Sequence, residues 1–379
     1  MYIYVVIITL AVMVVKAEPE NTPVDIHAAL KDIFGESCTT KDGKIGKCVM
    51  NSECKQYKAV ATDSDSLSVM RIRSCSNYLH VCCLVFDPNT KKDTNPVQEE
   101  KKGCGWRKQI GVLNESLNDN VTQFGEFPWT VAIFRKEKKV VNGEDKETIK
   151  YANGGSLIHP SVVLTAAHVV STHQDLFIRA GEWDIQSRQE PFPHQDRVVD
   201  VVVIHPQFNR ANLFNDIALL FLSKPVEYAP NVGVVCLPPQ GYGVSEGAKC
   251  MSTGWGKNMF GKLGQYQTIM KKVQLPVVSN ADCQSSLRKT RLGRYFSLSP
   301  TFMCAGGETG KDTCQGDGGS PLVCPINFDS NRYMQSGIVA WGIECGNTYP
   351  GIYTNVAVFR QWVDEMMRER GYDTSVYTY

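Results

Sequence analysis

The sequence predicts an all-β domain closed by one helix and preceded by a small unit held together by disulfides. Three observations carry that expectation. Short segments rich in β-branched and aromatic residues, such as Thr130 to Phe134, Val162 to Leu164, Val198 to Ile204, Ile217 to Leu222 and Gly337 to Trp341, are separated by Gly, Pro and Asn, the punctuation of a barrel or a sandwich. Val358, Trp362, Val363 and Met366 recur at helical spacing between Val356 and Arg370, which predicts an amphipathic helix with its apolar stripe in the core. The 14 cysteines are even in number and lack the paired C-x-x-C spacing of zinc sites, as in secreted, disulfide-bonded proteins.

A length of 379 residues gives room for roughly two domains, one of them with a substantial core. Lys and Arg number 40 and Asp and Glu 39, for a formal charge of +1, so the chain as a whole carries no electrostatic signature of nucleic-acid binding. Tyr2 to Val15 is almost wholly apolar and ends at Val15-Lys16-Ala17, and residues 1–17 therefore read as a secretory signal peptide. The run is shorter than the roughly 20 residues that a membrane span requires. No later segment is apolar enough to cross a bilayer.

Residues 18–36 form a polar lead, and residues 37–84 follow with six cysteines, Cys38, Cys48, Cys54, Cys75, Cys82 and Cys83. A unit this small cannot stabilise itself by apolar burial alone, so disulfide staples are expected, with a connectivity that spacing leaves open. The polar loop Lys55 to Ser74 carries Arg71 and Arg73. Exposed basic loops attract trypsin-like proteases, and an ordinary solvated loop has the same composition. Val49, Tyr57, Val69, Tyr78 and Leu79 either line a groove or fill a very small core. Residues 85–110, rich in Asp, Pro, Asn, Thr and Lys and carrying Lys91-Lys92 and Lys101-Lys102, read as a linker. The large domain spans residues 111–379; its sequons Asn114-Glu115-Ser116 and Asn120-Val121-Thr122 predict glycosylation at Asn114 and Asn120 on an exposed segment.

Four motifs of the large domain bear on chemistry: Leu164-Thr165-Ala166-Ala167-His168, Asn215-Asp216-Ile217-Ala218-Leu219-Leu220, Gly254-Trp255-Gly256 and the turn from Cys314 to Cys324. Acyl transfer by a serine needs a base to take the hydroxyl proton, a carboxylate to orient that base, and amide donors for the oxyanion. In order and spacing these motifs resemble chymotrypsin-like serine proteases over roughly residues 104 to 370. The cysteine spacing of residues 37–84, ending in Cys82-Cys83, resembles the clip domain of arthropod serine proteases and their homologues. The resemblance implies a chymotrypsin-like double β-barrel with a C-terminal helix behind a clip domain.

In that family the turn reads Gly-Asp-Ser-Gly-Gly-Pro, whereas here it reads Gly316-Asp317-Gly318-Gly319-Ser320-Pro321, which puts Gly318 in the nucleophile position beside remnants His168 and Asp216. Glycine has no side chain with which to attack a carbonyl, and loss of the nucleophile costs on the order of a millionfold in turnover. Ser320 stands two residues further on, where the turn is expected to aim it away from the base. By resemblance Asp312 lies at the base of the primary pocket and Gly342 and Gly351 on its walls, an arrangement suited to an arginine or lysine side chain.

Family members are activated by a cut after a basic residue that frees a hydrophobic terminus, but the corresponding stretch here is Glu115-Ser116-Leu117-Asn118-Asp119. Asp317 is therefore expected to lack its usual ammonium partner, with residues 316–318 in a zymogen-like or otherwise altered arrangement. A bridge common in the family is replaced by Asn153 and Val169. The resemblance pairs Cys38 with Cys82, Cys48 with Cys75, Cys54 with Cys83, Cys104 with Cys236, Cys250 with Cys324, Cys283 with Cys304 and Cys314 with Cys345. Gly181-Glu182-Trp183-Asp184 through Glu190 and Asp196 resembles a calcium-binding loop, with Glu182, Asp184 and Glu190 as ligands; Pro191-Phe192-Pro193 disturbs the spacing, and a solvated acidic loop gives the same pattern.

These features are similar to noncatalytic, prophenoloxidase-activating clip-domain serine protease homologues of insects. The resemblance implies a secreted haemolymph protein, cleaved by an upstream clip-domain protease, that acts as a cofactor in prophenoloxidase activation during melanisation and innate immunity. Its implied partners are phenoloxidase or its proenzyme and that protease, with self-association after cleavage; no cofactor is required. An adhesion or microbe-binding pseudoprotease and a residual trypsin-like hydrolase are the alternative functions for the same scaffold.

Overall fold

In a computed structural model of the chain, the structure describes residues 37–39, 45–50, 80–84, 103–108, 120–141, 144–172, 175–186, 190–326 and 329–379. The expected signal peptide and polar lead, Arg71, Arg73, Lys91-Lys92, Lys101-Lys102 and the sequon at Asn114 lie outside these residues, whereas Asn120 lies within them and is exposed. The chain divides into two units, Met1–Lys92 and Asp93–Tyr379.

The first unit holds a three-stranded antiparallel sheet of β1 (Ser37–Thr39), β2 (Ile45–Met50) and β3 (His80–Leu84), in that order. Cys48 is buried on β2 and is disulfide-bonded. The pairings expected in this unit, Cys38–Cys82, Cys48–Cys75 and Cys54–Cys83, rest on side chains outside the described ones.

The second unit contains two closed, antiparallel barrels of six strands each. In the first, β4 (Thr130–Val141), β5 (Glu144–His159), β6 (Val162–Thr165), β7 (Leu176–Ala180), β8 (Gln195–Ile204) and β9 (Ala218–Leu222) run in the order β4-β5-β6-β9-β8-β7. In the second, β10 (Lys249–Gly254), β11 (Lys271–Val278), β12 (Phe302–Gly306), β13 (Pro321–Ile326), β14 (Asp329–Trp341) and β15 (Pro350–Asn355) run in the order β10-β11-β12-β15-β14-β13. Closure gives each barrel strand a neighbour on either side, while the β4–β5 hairpin runs past the barrel, pairing out to Val141 and Glu144 where β7 meets β4 only as far as Arg135. β6 and β9 pair side by side with every residue buried, which is why Val162-Val163-Leu164-Thr165 and Ala218-Leu219-Leu220-Phe221-Leu222 read as continuous apolar runs rather than alternating ones.

Helix α1 (Ala167–Val170) follows β6, α2 (Asn280–Leu287) follows β11, and α3 (Val356–Glu369) follows β15, with a 3₁₀ turn at Thr374–Tyr377. Asn355 caps α3, its Oδ1 accepting from Ala357 N at 3.2 Å. The buried stripe of α3 is Val356, Phe359, Val363 and Met367, so the expected stripe needs correction: Val358 is 37% exposed, and Trp362 and Met366 are only partly buried against the core. Both stripes contain Val363 and both obey helical spacing; packing, not period, chooses between them. Disulfides Cys104–Cys236, Cys250–Cys324, Cys283–Cys304 and Cys314–Cys345 join this unit internally.

Candidate functional site

β6 ends at Thr165, whose Oγ1 donates to Gly154 O at 2.9 Å, and the chain turns directly into α1 with His168 in its short span. Asp216, fully buried just before β9, meets it twice: His168 N donates to Oδ1 at 2.8 Å and His168 Nδ1 lies 2.6 Å from Oδ2. Thr354 Oγ1 donates to the backbone carbonyl of Asp216 at 2.9 Å and fixes the main chain there from β15. The carboxylate therefore holds the ring by one nitrogen and leaves Nε2 facing Gly318. A Cβ at Gly318 would lie 2.9 Å from that Nε2 and 3.2 Å from Asn153 Oδ1, so the imidazole and Asn153 stand in space that a side chain would need.

Ser320 is fully buried, and its Oγ presses on Gly154 so closely that a Cβ there would overlap it. That hydroxyl has no hydrogen-bond partner among the described residues. Its position is incompatible with service as a nucleophile toward solvent or substrate.

Beside His168 opens a cavity of about 230 Å³ lined in part by Asn153, Asp312, Gly318, Gly342 and Gly351. Asp312 Oδ2 accepts from Gly346 N at 3.2 Å. Burial pushes the Asp312 carboxyl up to about 6; the amides of Gly346 and Thr313 oppose that shift and the charge of Asp317 adds to it. Asp317 accepts from Gly256 N through Oδ1 and from Cys314 N through Oδ2, each at 2.9 Å. Burial, against the pull of those two amides, raises Asp317 to about 6 as well. A Cβ at Gly256 would overlap the Asp317 carboxyl, which gives a physical reason for glycine in Gly254-Trp255-Gly256.

One residue of this site carried no signal in the sequence. Tyr151 OH donates to Gly316 O at 2.9 Å and holds the turn from the opposite barrel. Its ring is packed edge-on against Trp255 and Tyr266, with centroids 6.3 and 6.0 Å away.

At the acidic loop, Glu182 and Glu190 gather with His194, their ligand atoms all within 4.8 Å, while Asp184 lies outside that group. Asp184 Oδ1 instead accepts from Gln186 N at 3.1 Å. Glu182 Oε2 accepts from Arg179 Nη1 at 3.1 Å and lies 3.4 Å from His194 Nδ1, and Glu190 Oε1 accepts from Trp183 N and Asp184 N, each at 2.9 Å. Burial first, and then Glu182, raise Glu190 to about 8, against the pull of the two amides. Calcium seeks about six to eight oxygens. Two carboxylates, an imidazole and an adjoining guanidinium fit that ion poorly.

The double barrel, the His168–Asp216 pair and the Cys314–Cys324 turn fall inside residues 117–363, which match the Trypsin family model. The chain belongs to the trypsin family. Among trypsin-family relatives, phenoloxidase-activating factor 2 of Galleria mellonella is 56% identical over 288 residues, covering 74% of this chain and 94% of its own length. Inactive CLIP domain-containing serine protease A28 of Anopheles gambiae is 39% identical over 314 residues, 79% of this chain and 80% of the relative. Inactive CLIP domain-containing serine protease A8 of the same organism is 36% identical over 293 residues, 76% and 78% of the two chains. Within the trypsin family this chain is a clip-domain serine protease homologue of the noncatalytic kind.

Proposed function

We propose that the chain acts, once cleaved by an upstream clip-domain protease, as a noncatalytic cofactor in prophenoloxidase activation, secreted into the haemolymph and partnered with phenoloxidase or its proenzyme. One observation carries the reading: Gly318 stands at the nucleophile position, facing the Nε2 of an intact His168–Asp216 pair with no hydroxyl between them. The similarity to a phenoloxidase-activating factor supplies the pathway. Adding the cleaved protein to purified prophenoloxidase and its activating protease is expected to raise phenoloxidase activity; no increase overturns the assignment. The same protein is expected not to turn over an arginine ester, and turnover that disappears in Ser320→Ala would show a relocated nucleophile instead.

The reading requires no cofactor. Arg179 pairs with Glu182 from within the chain, and His194 lies beside the same carboxylate, so calcium is not needed to hold the loop. The melting temperature is expected to be the same in a calcium chelator as in millimolar calcium; stabilisation by calcium that Glu182→Ala removes would restore the ion.

A further inference from the structure

Beyond α2 the chain runs Leu287-Arg288-Lys289-Thr290-Arg291-Leu292-Gly293-Arg294-Tyr295-Phe296, and no acidic residue occurs between Asp282 and Glu308. Arg288, Lys289, Arg291 and Arg294 are all exposed. Among the described residues no carboxylate forms an ion pair with any of these four, whereas Arg107, Arg179, Lys272 and Arg360 each have one. A chain of net charge +1 thus concentrates four cations in seven residues. Arg288 and Lys289 follow the C-terminus of α2, where a cation is favourable in any helix. Arg291 and Arg294 lie beyond the last turn, out of reach of that effect.

The loop is a fixed platform. Cys283–Cys304 closes its base, and Leu292, Phe296 and Leu298 pack on the cluster that contains Leu287 and Phe302. Gly293 N donates to Thr290 O at 3.1 Å, Phe296 N to Gly293 O at 3.0 Å, and Arg288 Nε to Phe296 O at 2.8 Å. The Arg294 guanidinium lies 4.7 Å from the ring centre of Tyr295, itself 82% exposed. Arg288 and Arg294, held this way, lose little freedom when a ligand arrives.

We infer that this loop is a docking site for a linear polyanion bearing phosphate or sulfate groups. Three of the four cations are arginines, whose planar forks match such oxyanions with paired hydrogen bonds. Closely set cations meet a repeating charge by releasing its counterions. A stretch with four cations and no acidic residue between Asp282 and Glu308 complements a ligand of one repeated charge rather than a protein surface of mixed sign. Phosphodiester wall polymers and sulfated polysaccharides share the required chemistry.

The test measures binding of the secreted full chain to heparin and to a poly(glycerol phosphate) polymer across a salt series. Binding is expected to weaken steeply with salt, and Arg288→Ser/Arg291→Ser/Arg294→Ser is expected to lower the slope of log affinity against log salt by roughly 2 to 3. Lys224→Ser/Lys249→Ser/Lys262→Ser, which removes as many exposed cations elsewhere, is expected to leave it nearly unchanged. Should the first variant fail to fold, Arg291→Ser alone is expected to lower the slope by about 1. Binding to heparin alone assigns sulfate, and binding to the glycerol phosphate polymer alone assigns phosphate. No affinity of the unaltered protein for either polymer, or equal losses in the two triple variants, overturns the inference.

Discussion

Gly318 and His168 are coupled by volume as well as by chemistry. Because a Cβ at Gly318 would come within 2.9 Å of His168 Nε2 and 3.2 Å of Asn153 Oδ1, Gly318→Ser must push the imidazole back before a hydroxyl can point at it. Asp317 is meanwhile held by two amides. Arginine-ester hydrolysis by Gly318→Ser is expected to stay at least about a thousandfold below that of an active trypsin-like enzyme; vigorous turnover in a standard ester assay would show that the missing hydroxyl is the whole defect. Asp312 invites a different measurement. Its carboxyl, raised by burial to about 6 from an ordinary 3.8, ionises only above that pH, so affinity for an arginine-like amidine is expected to rise as pH passes through about 6. Asp312→Asn is expected to abolish both the affinity and its pH dependence in a calorimetric titration. The same shift favours the folded state most below the ordinary carboxylate pKa and loses that contribution as pH climbs to about 6. His168, Asp216, Asp312 and Gly318 were legible because motif order identifies them. Tyr151 was not, since its partner Gly316 lies 165 residues away and only the fold joins them.

The helices and strands show where periodicity informs and where it fails. β4, β6, β8, β9 and the end of β14 contain the expected β-rich segments, with Ile217 just before β9, but β10 (Lys249–Gly254) reads as polar because Ser252 and Thr253 are buried with paired hydroxyls. Ser252 Oγ donates to Pro321 O at 3.0 Å, and Thr253 Oγ1 lies 2.8 Å from Thr130 Oγ1. Such partners lie on other strands, so no local pattern announces them. In α3 the hidden element is Arg360, buried on the core-facing side. Its guanidinium donates to Leu237 O and Pro238 O at 3.1 Å, to Asp364 Oδ1 at 2.9 Å and to Thr378 Oγ1 at 2.8 Å, and it stacks 4.9 Å from the centre of the Tyr377 ring. Arg360→Leu leaves two buried carbonyls unsatisfied and is expected to cost about 2–4 kcal/mol, read as a lower urea midpoint with disulfides intact.

At the scale of the large unit, stability is concentrated where distant segments are clamped together. Glu126, 1% exposed, accepts from Arg107, from Lys272 Nζ at 2.9 and 3.0 Å and from Gln123 N at 2.7 Å. It thereby ties the segment around Cys104 to β11 of the second barrel. Glu126→Ala strips the carboxylate from two cations and is expected to destabilise by about 3–5 kcal/mol; a melting curve within error of the parent would contradict this. The cavity beside His168 has a practical corollary. Fluorophosphonate probes report proteases by bonding covalently to an activated serine, and this chain offers them none at Gly318, while Asp312 still waits below. The protein should therefore bind an immobilised benzamidine yet remain dark in activity-based profiling, a combination by which chemical proteomics can sort such homologues from inhibited enzymes in the same fluid.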